Sequence, residues 1–282
     1  MKDSCLVVLH KIYNEKSVDF FKKHYSNFKK VIHIAPLYNG VEGNILTTYE
    51  NKLQMSGYLA QCAQKLSEIP CKNYIFTTDD VILYDSANIE DPCEKINIEN
   101  DEIIFSDKIF AVDLEHYSQY NWVLPSLINF CFRANGAEVN NFIPEKADFR
   151  KICQNLGIKT PRLQRNTLNF ILKNLVEKQS LKHEFFYDLE YGNINIKNLI
   201  EIYKPQEPEK NNITLYPFVA SNSNVMIIPQ ERFKTFARYC GIFSALRLHY
   251  NIAFAMSAVL SSDKIKFMSE KEKNLFKNLK GI

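Results

Sequence analysis

Asp79 and Asp80 stand side by side at the end of the apolar run Tyr74-Ile75-Phe76 and its continuation Thr77-Thr78. Two adjacent carboxylates repel each other and lose solvation unless positive charge lies between or beside them. Mg²⁺ or Mn²⁺ meets that need, because hard cations take oxygen ligands and share their remaining positions with substrate phosphates. The pair therefore points to a divalent cation that neutralises a diphosphate. The alternative is a turn that ends the strand, with Asp79 capping the next segment.

Glycine content narrows how else a nucleotide could be held. The chain has 282 residues and 8 glycines, against an average usage of about 7%. Neither G-x-G-x-x-G nor G-x-x-x-x-G-K-[ST] occurs, which argues against a dinucleotide-binding dehydrogenase and a P-loop NTPase. A nucleotide diphosphate bound here would rest on a cation rather than on clustered backbone amides.

The remaining composition excludes further classes. With 46% hydrophobic residues and a net charge of +3, the chain has material for a large core, in one large domain or two modest ones. So small a net charge, without a basic-aromatic stripe, argues against nucleic acid as a partner. No Cys or Ser lies on a recognisable nucleophile turn, which disfavours a glutaminase or protease. The seven cysteines are scattered without a C-x-x-C, as expected of reduced, buried thiols in a cytoplasmic protein. The run Cys5 to Leu9 is far short of the roughly 18 apolar residues that span a bilayer, and it lacks the flanks of a secretory signal. Lys264, Lys266, Lys271, Lys273, Lys277 and Lys280 crowd the C-terminal end. They read as a solvated helix face, or as a peripheral attachment to the anionic inner face of a membrane.

The elements that would position the acids follow from periodicity. Leu6 to Leu9, Val31 to Ala35 and Tyr74 to Phe76 are short continuous apolar runs, the pattern of strands buried on both faces. Between them, Val18 to Phe28 and Asn51 to Leu66 carry apolar residues at helical spacing. Strand, helix, strand, helix, strand predicts βαβ units and a mostly parallel sheet. Ligands of such sheets sit outside the carboxyl ends of the strands, here His10 to Asn14, Ala35 to Tyr38 and Thr77 to Asp80. Further on, Glu102 to Leu114 reads as one or two strands, and Pro144 to Leu156 and Thr167 to Val176 as helices. Pro205 to Asn212 reads as a polar surface loop, Asn224 to Ile228 as a strand, and about Glu231 to Leu260 as one long apolar helix. No internal repeat appears.

A strand running into Thr77-Thr78-Asp79-Asp80-Val81, after two βα units, resembles the GT-A class of nucleotide-sugar-dependent glycosyltransferases. A second stretch is similar to bacterial surface-polysaccharide (capsule and lipopolysaccharide) transferases of that class. It runs from Leu215-Tyr216-Pro217-Phe218-Val219-Ala220 through Ser221 to Pro229, then from Phe233 through Tyr239-Cys240-Gly241-Ile242-Phe243 to Val259. The chain departs from that pattern at Asn224 and Asn251, where acids are expected, and at Ala255, where a proline is expected.

The resemblance implies a Rossmann-like, mostly parallel central sheet flanked by helices, with a helical acceptor-side region. It divides the chain into a donor-binding half, residues 1–115, and an acceptor-side half, residues 116–282, of one domain. The implied reaction moves a sugar from a nucleoside-diphosphate sugar, most simply a UDP-sugar, to a glycan or lipid-linked acceptor with Mn²⁺ or Mg²⁺. Asp79 would contact the ribose or the metal, Asp80 would ligate the metal, and His249 would complete its shell. The base would lie against His10, Tyr13, Asn14 and Tyr38. Arg247 could reach the diphosphate bidentately, and His249 could instead be a core histidine. Tyr117, Tyr120 and Trp122 offer a sugar-stacking platform or an aromatic core. Asp107, Asp113 and Glu115 are the candidate bases if the reaction inverts; Asp113 and Glu115 are carried forward as the catalytic pair. Two other readings share these features: a metal-dependent nucleotidyltransferase, and a weakened transferase-like binding or scaffold subunit.

Overall fold

The computed structural model describes residues 3–25, 28–83, 96, 101–112, 142–160 and 216–278. They divide into two compact units, one of Met1–Ile109, Ser221–Ala245 and Tyr250–Ile282, the other of Phe110–Ala220 and Leu246–His249.

The first unit is built on a seven-stranded sheet. Its strands are β1 (Ser4–Leu9), β2 (Lys30–Pro36), β3 (Ile45–Thr48), β4 (Asn73–Thr78), β6 (Ile103–Phe105), β9 (Val225–Pro229) and β10 (Ile265–Phe267). Their order across the sheet is β10-β6-β9-β4-β1-β2-β3. β9 runs antiparallel to its neighbours β4 and β6, and every other pairing is parallel. β5 (Val81–Leu83) leaves the end of β4 and pairs antiparallel with β11 (Phe276–Asn278). The α/β class with a mostly parallel central sheet flanked by helices is thus realised.

The central strands are buried throughout: all six residues of β1 are buried, as are the last five of β4. Successive side chains point to opposite faces, so Leu6, Val8 and Ile75 share one face with Phe21 of helix α1 (Glu15–His24). Tyr74 and Phe76 instead pack on Phe233 of helix α4 (Gln230–Ala245), at ring separations of 4.6 and 5.8 Å. Helix α2 (Met55–Ser67) follows a short 3₁₀ turn at Lys52–Gln54 and crosses α4 closely. A Cβ on Gly241 of α4 would come 2.8 Å from Cβ of Ala60, and one on Gly57 of α2 would come 2.4 Å from Oγ of Ser244. Two of the few glycines are therefore spent on one helix crossing.

In the second unit, β7 (Phe110–Ala111) pairs antiparallel with β8 (Val219–Ala220). Helix α3 (Lys146–Asn155) buries Phe149 against Tyr216, whose hydroxyl donates to the carbonyl of Pro144 at 2.9 Å. Gly157, at φ +74°, ends α3 in the left-handed conformation that glycine adopts without strain.

Some elements differ from the reading of periodicity. The long helix expected over 231–260 is two, α4 and α5 (Tyr250–Ser261), separated at Leu246–His249 where Arg247 takes φ +60°. Apolar residues continue across that break, so composition gave no stop signal. β3 and β10 are short and only partly apolar, and they complete the sheet at its edges. The C-terminal third does not stand apart from residues 1–109: it supplies β9, α4, α5 and β10 to the first unit. Thr167 to Val176 and the polar loop Pro205 to Asn212 lie outside the described residues.

Candidate functional site

The carboxyl ends of β1, β2 and β4 lie at one edge of the sheet, and the start of antiparallel β9 joins them there. Leu9 pairs with Thr78 and Thr77 with Val225, so His10 and Lys11, Asp79 and Asp80, and Asn224 leave the sheet side by side. The amide of Asp79 donates to the carbonyl of Leu9 at 3.1 Å, tying the acidic turn to the end of β1.

Asp80 is held from two sides. Its Oδ2 accepts from Nζ of Lys11 at 2.6 Å and its Oδ1 from the hydroxyl of Thr78 at 2.5 Å. Burial raises the Asp80 carboxyl, but the hydrogen bonds from Lys11 and Thr78 and the ammonium charge outweigh it and hold it below the ordinary carboxylate range. The same pairing overrides the burial of Lys11 and raises its ammonium. Tyr250, the first residue of α5, lies in the field of this pair: burial raises its phenol, Lys11 lowers it and Asp80 raises it.

Asp79 faces the histidines. Its Oδ2 is 3.6 Å from Nδ1 of His10, whose Nε2 lies 2.9 Å from Nδ1 of His33. Both imidazoles are completely buried. Burial first, and His10 second, push the His33 imidazole down to about 3, so it is neutral at physiological pH. The fully buried phenol of Tyr58 on α2 is raised by burial and then by the charge of Asp79.

The end of β2 supplies an aromatic face. Leu37, at φ +53°, turns the chain beyond Pro36, and Tyr38 then stacks obliquely on Tyr13, ring centroids 5.0 Å apart. Both rings lean on Val18, Ala35 and Ile45 and remain partly exposed. Gly40 allows this fold-back, since a Cβ there would sit 2.1 Å from the Tyr38 hydroxyl.

Tyr13 and Tyr38 come together, and so do Asp79, Asp80, Lys11 and His10. The ring of His10 is fully buried, 3.6 Å from the Asp79 carboxylate. Asn14 is committed as the N-cap of α1, its Oδ1 accepting from the amides of Lys16 and Ser17. Arg247 and His249 lie in the connection between α4 and α5; His249 is buried, and burial pushes its imidazole down to about 3. Among the described residues, no group of three or more His, Cys, Asp and Glu could hold a metal ion alone. Asp107 at the end of β6 is tied to Lys273 at 3.1 Å, and its backbone to Ser221 and Ser223. Asp113, Glu115, Tyr117, Tyr120 and Trp122 lie outside the described residues. Asn224 is exposed at the start of β9, and the carbonyl of Asn251 accepts from the amide of Ser221.

Sequence reasoning missed His33, Tyr58 and Tyr250. His33 was detectable: a histidine inside an apolar strand, one strand away from His10. Tyr58 and Tyr250 carried no signal beyond ordinary helical aromatics.

The donor set fits a cation bound together with a ligand. Two partly exposed carboxylates leave most coordination positions to phosphate oxygens or water, as Mg²⁺ sites at nucleotides do. Elsewhere, Lys264, Lys266 and Lys273 of the basic C-terminal stretch each pair with a carboxylate, of Asp101, Glu272 and Asp107 respectively. The five described cysteines, Cys5, Cys62, Cys71, Cys153 and Cys240, are free and buried. Among the described residues, no helix is long and apolar enough to cross a membrane. No protein-family model, no curated protein and no solved structure matches the chain.

Proposed function

We propose that the chain is a GT-A-class glycosyltransferase, moving a sugar from a nucleoside-diphosphate sugar to a glycan or lipid-linked acceptor on the cytoplasmic side. The observation that carries this reading is the placement of Asp79 and Asp80 at the carboxyl end of the central strand β4, with the Tyr13–Tyr38 face at the neighbouring strand ends. Open α/β sheets bind ligands at this edge. The glycine-poor sequence offers no phosphate loop in its place.

Asp79 and Asp80 would hold the Mn²⁺ or Mg²⁺, which when bound neutralises charge on the departing diphosphate. The partly exposed rings of Tyr13 and Tyr38 give a flat heteroaromatic base one stacking surface. Lys11, 2.6 Å from Asp80, brings an ammonium to the same spot and can turn from the carboxylate to a phosphate oxygen. Asp113 and Glu115 are the acids proposed to take the acceptor proton if the reaction inverts. Because three of the C-terminal lysines have carboxylate partners, an anionic membrane surface has less free charge to engage than the sequence suggests.

The test is thermal. UDP with Mn²⁺ is expected to raise the melting temperature of the wild-type chain, by mass action on the native state, and Asp80→Ala to remove that shift while circular dichroism stays native. No shift with any nucleoside diphosphate plus metal would refute the donor site. Binding without release of nucleoside diphosphate from any nucleotide sugar would favour the scaffold alternative.

A further inference from the structure

We propose that His33 and His10 form a buried hydrogen-bonded chain that positions Asp79, with His33 donating to His10 and His10 directing its remaining N–H at the Asp79 carboxylate. The functional consequence rests on the donor-site reading above; the chain itself does not.

Strand register puts the three residues on one face. Val8 pairs with both His33 and Thr77, and side chains alternate along each strand. Two residues further, His10 and Asp79 therefore fall on the same side as Val8, His33 and Thr77. The distances agree: 2.9 Å between the two rings and 3.6 Å from His10 Nδ1 to Asp79 Oδ2. Both rings are fully buried, and among the described residues neither His10 Nδ1 nor His33 Nε2 has a hydrogen-bond partner.

Those two outer nitrogens decide the direction of the chain. A neutral imidazole has one donor and one acceptor nitrogen. With the proton on His10 Nε2, the shared bond would run toward His33. The bare Nδ1 lone pair of His10 would then face an anion, and His33 would bury an N–H with no acceptor. Reversed, His33 Nδ1–H donates to His10 Nε2, and His10 Nδ1–H faces the carboxylate. The outer nitrogen of His33 is then an acceptor rather than an N–H, and buried acceptors go unmatched more often than buried N–H groups. The gap of 3.6 Å is longer than a hydrogen bond, so the chain requires the Asp79 carboxylate to turn toward His10. Asp79 then keeps one oxygen turned inward to His10 and presents the other to the ligand. Paired imidazole and carboxylate groups of this kind orient ligating side chains at metal centres.

Imidazole ¹⁵N spectra of the wild-type protein test the chain directly. The expected result is a proton on Nδ1 of both His10 and His33, with the His10 Nδ1 resonance moving in Asp79→Ala. A proton on Nε2 of His10, or a His10 signal indifferent to Asp79→Ala, would overturn the proposal. The functional arm is the affinity for Mn²⁺ alone, by calorimetry. His10→Leu is expected to weaken it about tenfold or more, whereas His10→Asn, which keeps a donor near the Nδ1 position, is expected to retain most of it. Equal loss in both variants would make His10 a space-filler. Failure of the wild type to bind Mn²⁺ would refute the metal reading of Asp79, with the spectra still deciding the chain.

Discussion

Nζ of Lys11 lies 2.6 Å from Oδ2 of Asp80, so the carboxylate that would ligate a cation already holds one from its own chain. Binding a metal at Asp80 must therefore displace the ammonium or share the oxygen with it. Lys11→Met removes the competitor and is expected to strengthen binding of Mn²⁺ alone, by a few-fold given how exposed the pair is. The same change removes a positive charge near the phosphates and is expected to weaken UDP binding. Calorimetric titrations of each ligand separately check both signs. Weaker Mn²⁺ binding in Lys11→Met would mean that Lys11 organises Asp80 rather than competing for it.

The pair also makes a pH prediction. The folded carboxyl of Asp80 sits below its unfolded value, so its contribution is complete above the unfolded value and is lost as pH falls through the folded one. The Lys11 ammonium is raised, so its contribution is complete below the unfolded value of about 10.4 and is lost as pH rises through the folded one. The two side chains are 41% and 44% exposed, which limits the pair to under about 1 kcal/mol. Melting curves of wild type and Asp80→Asn are expected to differ by about 2 °C or less near pH 7. The difference should shrink toward both pH extremes. A difference that grows on acidification would contradict the assignment.

Much of this site could be read from the chain because strands buried on both faces have an unambiguous pattern. Leu6 to Leu9 and Tyr74 to Phe76 located β1 and β4, and their carboxyl ends located His10, Asp79 and Asp80. Polar side chains were harder to place, because a residue type does not reveal its partner. Asn14 caps α1, and His10 is fully buried beside Asp79; neither partner is marked in the residue type. The break at Arg247 was invisible for a related reason: a non-glycine residue at φ +60° leaves no compositional mark. Short edge strands such as β3 owe their existence to pairing with β2 rather than to their own four residues.

Tyr38 offers a separable test of the aromatic face. Its ring is partly exposed against Tyr13, and stacking of a base on an aromatic ring is worth about 1–3 kcal/mol where single-stranded nucleic acids show it. Tyr38→Ala is expected to weaken UDP binding about tenfold or more, while affinity for Mn²⁺ alone stays near wild type. Tyr38→Phe should retain most of the nucleotide affinity, since the ring remains. Loss of Mn²⁺ and UDP binding together would trace the effect to the loss of packing on Val18, Ala35 and Ile45.

Gly241 makes the last prediction, on the scaffold rather than the site. In a helix interior, Gly→Ala ordinarily stabilises by up to about 1 kcal/mol. Here the added methyl would lie 2.8 Å from Cβ of Ala60, so α2 and α4 must part. Overpacking of this kind costs about 1–3 kcal/mol, and that exceeds the propensity gain over most of its range. Gly241→Ala is therefore expected to lower the melting temperature, by up to about 4 °C. Ala60→Gly in the same chain clears the facing methyl and should recover part of the loss, even though it adds a glycine to α2. A double variant no more stable than Gly241→Ala alone would show that the contact with Ala60 is not what excludes a side chain at this crossing.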